Sequence, residues 1–479
     1  MLAKVDAPAA VGIHGRLINV ECDISNGLPS FVVVGLGDEA VKEARDRVRS
    51  ALKNSGLVMP PKKVTLNLAP ADLPKDGTAY DLSIAVAILA ATEQVKVVTA
   101  SLFVGELALD GSLRPVRGTL TFTQLAKSHG LKQIFLPEEN APEAAIADGV
   151  TILPAKNLRQ VYRHLAGEEP ISPYCGRIEA PETPPNYPDF AAIAGQPEAK
   201  RALEIAAAGG HNILLSGPPG VGKTMLAKAT AGILPPPTLD QVFEITQLHS
   251  LAGLTTQPIW HRPFRSPHHT ASSIALIGGG RHPRPGEVSL SHNGVLFLDE
   301  LPEFPRHVLD SLRQPLEDGE VSIARAAGAV TYPAKFMMIA TQNPCPCGFA
   351  GDIARDCTCT QAQIVRYGQR VSGPLLDRID MRVNVSRIAP ELLDGDPAEP
   401  TVRVAKRVAI AQEYLFQNPE ASVQEEANSL LKEAVRRLQL STRAHVKVLK
   451  IARTIAALDK APSIVPNHIA EALQYRPKL

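Results

Sequence analysis

The chain has 479 residues, too many for one typical core, and its 44% hydrophobic content is enough to bury several. A net charge of +1 gives no overall field for nucleic acid, so any such affinity has to come from a local patch. Six cysteines at this length exclude a secreted disulfide scaffold.

The opening "MLAKVDAPAAVGIHG" lacks a signal peptide's apolar run, and the longest apolar stretch, 82–91, is too short to span a bilayer. The expected compartment is the reducing cytoplasm, with no membrane partner. Strand-like runs follow at 31–35, 63–68, 102–107 and 133–137, alternating with helical patterns at 38–54, 81–92 and 119–129. This predicts an α/β domain over 1–167. Residues 168–188 are dense in proline and read as an extended linker. A second α/β region covers 189–388. A helical tail, 389–479, carries helices near 401–416, 424–438, 441–458 and 466–475, with Ser441 as a plausible N-cap.

The second region opens with "HNILLSGPPGVGKT", a buried-strand pattern, a glycine loop and a helix start. Gly217, Pro218, Pro219, Gly220, Val221, Gly222, Lys223 and Thr224 fit the phosphate-binding pattern GxxxxGK[ST]. The glycines let backbone N–H groups face phosphate oxygens, and Lys223 would reach the β- and γ-phosphates of ATP. Thr224 would place its hydroxyl on Mg²⁺. Further on, "GVLFLDE" is an apolar strand ending in Asp299, a second magnesium holder, and Glu300, which would polarise the attacking water. "KFMMIATQNP" is another buried strand, ending in Asn343 where a water-positioning side chain belongs.

Directly after Asn343 come two CxC pairs, Cys345, Cys347, Cys357 and Cys359. Four thiolates could hold one structural Zn²⁺. A redox pair or a chance cluster is the alternative.

Between Glu244 and Glu287 there is no acidic residue, while Arg262, Arg265, Arg281 and Arg284 all fall there. An acid-free basic stretch on a near-neutral chain is a candidate for phosphate binding, hence for DNA. Alternatively these arginines tie subunits together.

The order of these motifs, continued by "SGPLLDRID" and "LSTRA", resembles AAA+ ATPases, in the branch shared by magnesium-chelatase motor subunits and MCM helicases. That resemblance implies that Arg378 is an arginine finger and Arg443 a sensor-2 arginine. A finger acting on a neighbour implies a homo-oligomeric ring, a hexamer by the same resemblance. The basic stretch would then face the central pore, and a second hairpin near 321–331 would carry Arg325. The first region resembles a Lon protease domain: Pro74, Lys75, Asp76 and Gly77 match its nucleophile motif, but Ala79 and Leu120 stand where the serine and lysine would be. Without a hydroxyl or amine there is no covalent catalysis. The combination resembles the YifB/ComM family. It implies ATP-driven helicase work that promotes branch migration on branched or single-stranded DNA during integration of transformed DNA by recombination. The alternative is a chelatase-type motor subunit acting on a protein partner.

Overall fold

The computed structural model describes residues 2–476, save 35–38, 72, 74, 76, 97–98, 177–179, 181–186, 281–282, 326–327, 353, 389–397 and 420. The chain is α/β throughout its first two thirds and helical at its end. Among the described residues no helix is long and apolar enough to cross a membrane.

The first block begins with two long strands that sequence reading missed, β1 (Leu2–Val11) and β2 (His14–Ser25), paired antiparallel from Leu2↔Asp23 to Val11↔His14. Four alanines and Pro8 hide β1, since neither residue type favours strands. Pro8 lies beyond the single β1–β5 pair, Asp6↔Leu102, where fewer ladder bonds are asked of the strand. β3 (Ser30–Val34), α1 (Glu39–Asn54), β4 (Lys63–Ala69), α2 (Asp81–Ala91), β5 (Ser101–Phe103), α3 (Thr119–Ser128), β6 (Gln133–Pro137), β7 (Thr151–Ala155) and α4 (Leu158–Ala166) follow. They make one sheet of order β3-β4-β2-β1-β5-β6-β7. The apolar run inside α2 is buried on almost every side, which is why it shows no amphipathic period. Past α4 the chain does not leave at once: Ile171 is buried in the first core and the Tyr174 N–H donates to Ile152 O at 2.9 Å. The segment expected to be linker from 168 therefore starts as part of this block.

In the second block, α5 (Pro197–Gly209), β8 (Ile213–Ser216), α6 (Lys223–Ile233), α7 (Leu239–Ala252), β9 (Phe264–Arg265), β10 (Val295–Leu298), the hairpin β11 (Glu320–Arg325) and β12 (Gly328–Pro333), β13 (Met337–Gln342) and β14 (Met381–Asn384) appear in chain order. The sheet order is β9-β10-β13-β8-β14, and every pairing is parallel. Crossovers of this kind put all strand C-termini on one edge, where open α/β sheets bind ligands. The four tail helices, α8 (Thr401–Gln417), α9 (Glu425–Arg437), α10 (Thr442–Leu458) and α11 (Pro466–Gln474), lie within a residue or so of expectation. Ser441 caps α10, its side chain accepting from the Ala444 N–H at 3.2 Å; such caps contribute about 1 kcal/mol. Val408, Val448 and Ile451 join Ile213, Leu215 and Leu226 in one apolar cluster, so the tail shares the core of the second block.

The two blocks meet along α7. Gln247 Nε2 donates to Ile13 O at 2.9 Å and to the Thr121 hydroxyl at 3.1 Å. Ser250 Oγ donates to Glu143 Oε1 at 2.6 Å and accepts from the Gly118 N–H at 2.9 Å. Burial pushes the Glu143 carboxyl up to about 7, with the Ser250 bond opposing.

Candidate active site

Three adjacent parallel strands deliver the expected nucleotide residues to one edge. Gly217 follows β8, Asp299 follows β10 and Asn343 follows β13. Gly217 has to be glycine, because a Cβ there would sit 2.1 Å from Val385 O. Gly220 and Gly222 have φ of 80° and 87°, the left-handed region that other residues resist. Lys223 opens α6, and its Nζ donates to Gly217 O at 2.6 Å, Pro218 O at 2.8 Å and Asn343 Oδ1 at 3.1 Å. Burial lowers the pKa of this ammonium, while Asp299 and Glu300 pull it back up. It is a partly desolvated cation already bonded to Asn343. A polyphosphate would offer it better acceptors than two carbonyls.

Thr224 Oγ1 donates to Asp299 Oδ2 at 3.0 Å. Two hard oxygen donors side by side fit Mg²⁺. Thr341, which sequence reading did not single out, orders the acidic pair: its hydroxyl donates to Asp299 Oδ1 and accepts from the Glu300 N–H at 3.0 Å. The available signal was its position near the end of β13, two residues before Asn343. Glu300 holds φ at 53°, a left-handed conformation for a residue with a Cβ. Such strain costs about 1–2 kcal/mol and gathers at functional positions. It leaves the Glu300 side chain exposed.

The two remaining arginines stand at the other edge. Arg378 lies just before β14, and its carbonyl accepts from Asn212, the residue before β8. Its Nε donates to Arg313 O at 3.1 Å, one terminal nitrogen to Pro374 O at 2.7 Å, and the other to Glu317 Oε2. Arg443, exposed at the start of α10, donates to the second Glu317 oxygen at 2.6 Å. Lys447, one turn on, donates to Asp377 O at 2.6 Å and pairs with Asp380 at 2.8 Å. The tail thus grips the Arg378 loop. Glu317 had no sequence signal at all.

The four cysteines come together, their sulfurs all within 4.8 Å of one another. Cys345–Cys347 is 3.3 Å, and Cys345–Cys357 and Cys347–Cys357 are both 3.6 Å. Tetrahedral zinc with Zn–S of about 2.3 Å asks for about 3.8 Å between sulfurs. Backbone N–H groups of Ala350 and Cys347 point at the Cys345 and Cys359 sulfurs at 3.3 and 3.4 Å. The Phe349 N–H bond leads in holding the Cys347 thiol down at about 5. Cys357, despite an opposing Cys359 N–H, is pushed up to about 12 by burial and by its neighbours Cys347 and Cys345. Crowded thiolates resist ionising together, and a dication removes that conflict. The donor set fits Zn²⁺. The loop also abuts the phosphate loop, since a Cβ on Gly348 would lie 2.7 Å from Pro219 Cδ. Protein purified without chelators is expected to carry about one zinc per chain. The paired variant Cys345→Ser, Cys357→Ser should lose the metal and bind ATP more weakly. Elemental analysis and nucleotide titration check both.

The basic stretch does not act as one patch. Arg262 donates to Pro235 O at 2.6 Å, Asn293 O at 2.8 Å and Gln241 Oε1 at 3.1 Å. Arg265 holds Glu287 through two bonds of 2.6 and 2.7 Å. Both guanidinium groups are consumed inside the fold, which corrects their assignment as DNA contacts. An acid-free window said nothing about Glu287 at its border or about carbonyl acceptors. Arg284 is exposed. Arg281 lies outside the described residues, as does the side chain of Arg325 at the end of β11.

Known proteins resemble this chain along nearly its whole length. The family description "Magnesium chelatase, subunit ChlI" matches residues 189–393, its C-terminal counterpart matches 402–476, and "Subunit ChlI of Mg-chelatase" matches 20–140. Uncharacterized protein YifB of Salmonella typhimurium is 44% identical over 496 residues, covering 99% of this chain and 97% of the relative. Competence protein ComM of Haemophilus influenzae is 42% identical over 501 residues, again covering 99% and 97%. A Lon protease of Brevibacillus choshinensis is 25% identical over 169 residues, 33% of this chain and 22% of that protein. With such identity sustained over nearly the full length of its relatives, the chain belongs to the YifB/ComM family of magnesium-chelatase-like AAA+ ATPases.

Proposed function

We propose that the protein is a cytoplasmic, ring-forming ATPase that couples hydrolysis to movement on branched or single-stranded DNA. The observation that carries the ring is the division of the catalytic set. Lys223, Asp299, Glu300 and Asn343 occupy the C-terminal edge of the parallel sheet, while Arg378 and Arg443 occupy the N-terminal edge. The four residues of β8 separate those edges by about 13 Å of extended chain. A subunit therefore cannot close its own site with its own arginines, and a head-to-tail neighbour can. Bound Mg²⁺, held by Thr224 and Asp299, would neutralise phosphate charge. Lys223 would orient the terminal phosphates, Asn343 would hold the attacking water, and Glu300 would take its proton.

DNA as the track is supported by the competence protein among the relatives, since competence is uptake of DNA for recombination, and by the exposed Arg284. Peptide hydrolysis is not proposed, because Ala79 and the fully buried Leu120 offer neither hydroxyl nor amine. The magnesium-chelatase descriptions favour a second reading, a motor subunit that works on a protein partner. Steady-state ATP turnover measured with a four-way junction, single strands and duplex separates the two. The DNA motor should be stimulated several-fold by the junction or the single strand. Turnover indifferent to all three would leave the chelatase-type reading in possession.

A further inference from the structure

The first block has lost the residues for peptide cleavage but has kept a cleft. It measures about 530 Å³ and opens where the two blocks meet. Ala79, Thr78 and Arg117 form one wall; Pro283, Arg284 and Tyr332 form the other. Arg117 belongs to the first block and Arg284 to the loop region before Glu287. Among the described residues, neither side chain makes a hydrogen bond or an ion pair. That separates them from Arg47, Arg265 and Arg407, each of which holds a carboxylate. Glu106, the one carboxylate among the described residues lining the cleft, is already engaged: it accepts from the Thr78 hydroxyl and lies 3.6 Å from Arg114. Two guanidinium charges thus face one cleft whose carboxylate is bonded elsewhere. Burial chiefly, and then the charge of Arg284, lowers the pKa of Arg117.

The Arg117 side chain and the backbone that carries Arg284 are set in place. Arg117 packs on Gly253 just past α7; a Cβ at Gly253 would come 2.4 Å from its Nε. The segment before Arg284 is pinned by Tyr332, whose hydroxyl donates to Pro283 O at 2.8 Å. Preorganised cations lose little entropy when they bind. A guanidinium fork matches phosphate oxygens in a way that an ammonium does not.

We propose that Arg117 and Arg284 clamp the phosphate backbone of a DNA strand, so that the protease-like block supplies half of a DNA-contacting surface shared with the ATPase block. This rests on the DNA reading above and gives the first block a task within it. Two arginines, neither paired with a carboxylate, favour a polyanion of phosphates over a peptide, whose backbone would need a strand edge and side-chain pockets.

The test uses the full chain and a fluorescent single strand and four-way junction, with affinity followed against salt. Arg117→Gln and Arg284→Gln should each lower the slope of log K against log salt by roughly 0.7–0.9, and the double variant by about twice that. Arg117→Lys should keep most of the slope. Arg437→Gln, an exposed pair with Glu433 on the tail, serves as the charge control and should change nothing. ATP turnover without DNA should stay at the parental rate in all of them. If the parent binds DNA with a salt slope that the double variant preserves, the clamp is wrong and the DNA reading survives. A parent with no salt-dependent DNA binding overturns both. A labelled oligoglutamate peptide that binds the parent and not the double variant, with the DNA slope unmoved, would hand the cleft to an acidic peptide instead.

Discussion

Glu300→Gln is expected to bind ATP as tightly as the parent and to hydrolyse it about 10²–10⁴-fold more slowly. The amide keeps the size of the side chain and cannot take a proton from water. The backbone geometry should survive, because the Glu300 N–H is fixed by Thr341 and not by the side chain. Lys223→Ala should behave differently. It removes the ammonium that faces Gly217 O, Pro218 O and Asn343, and with it charge-assisted bonds of about 1.5–3 kcal/mol each to the phosphates. ATP affinity should fall by at least tenfold, before any effect on turnover. Nucleotide titration and a phosphate-release assay on both variants separate binding from chemistry. Parental turnover in Glu300→Gln would remove that residue from the reaction.

The difference between these residues and the DNA contacts is also a difference in what a sequence can carry. The nucleotide site was legible because each part sits at the end of a buried strand, and a buried strand has a recognisable pattern. Gly217, Asp299 and Asn343 follow β8, β10 and β13 without intervening loops, so local order along the chain sets local order in space. The tail helices were legible for a similar reason, with Ser441 marking the start of α10. Arg262 and Arg265 were misjudged because charge partners are made by the fold. Arg262 finds its acceptors 27 and 31 residues away in the chain. Glu317, which joins Arg378 to Arg443, lies 61 residues from one and 126 from the other. Nothing in the short-range pattern announces such a meeting. β1 was missed on different grounds: its alanines and proline speak against a strand, and only its pairing with β2 along its whole length outweighs them.

Arg378→Ala should lower ATP turnover by about 10³–10⁵-fold, the range for a finger that stabilises charge on the transferred phosphoryl group. The loss should be repairable by a neighbour. A ring mixed from Arg378→Ala and Lys223→Ala subunits has some interfaces where the intact loop of the first faces the intact arginine of the second. With equal mixing, about a quarter of interfaces are complete, so turnover should recover to a comparable fraction of the parent. No recovery in rings shown by mass analysis to be mixed would place Arg378 outside a shared site. Glu317 refines the same experiment. Its two oxygens hold Arg378 and Arg443 together on one subunit, and Arg378 is further tied to Arg313 O and Pro374 O. The carboxylate therefore sets where the guanidinium groups wait before a phosphate reaches them. Glu317→Gln keeps one acceptor and loses the charge. It should lower kcat with little change in KM for ATP, since no part of the phosphate loop touches Glu317. In the mixed ring, Glu317→Gln placed on the Lys223→Ala subunit should cut the recovered rate, and placed on the Arg378→Ala subunit it should not. A positional dependence of that kind follows only if the arginines act on the neighbouring subunit's nucleotide.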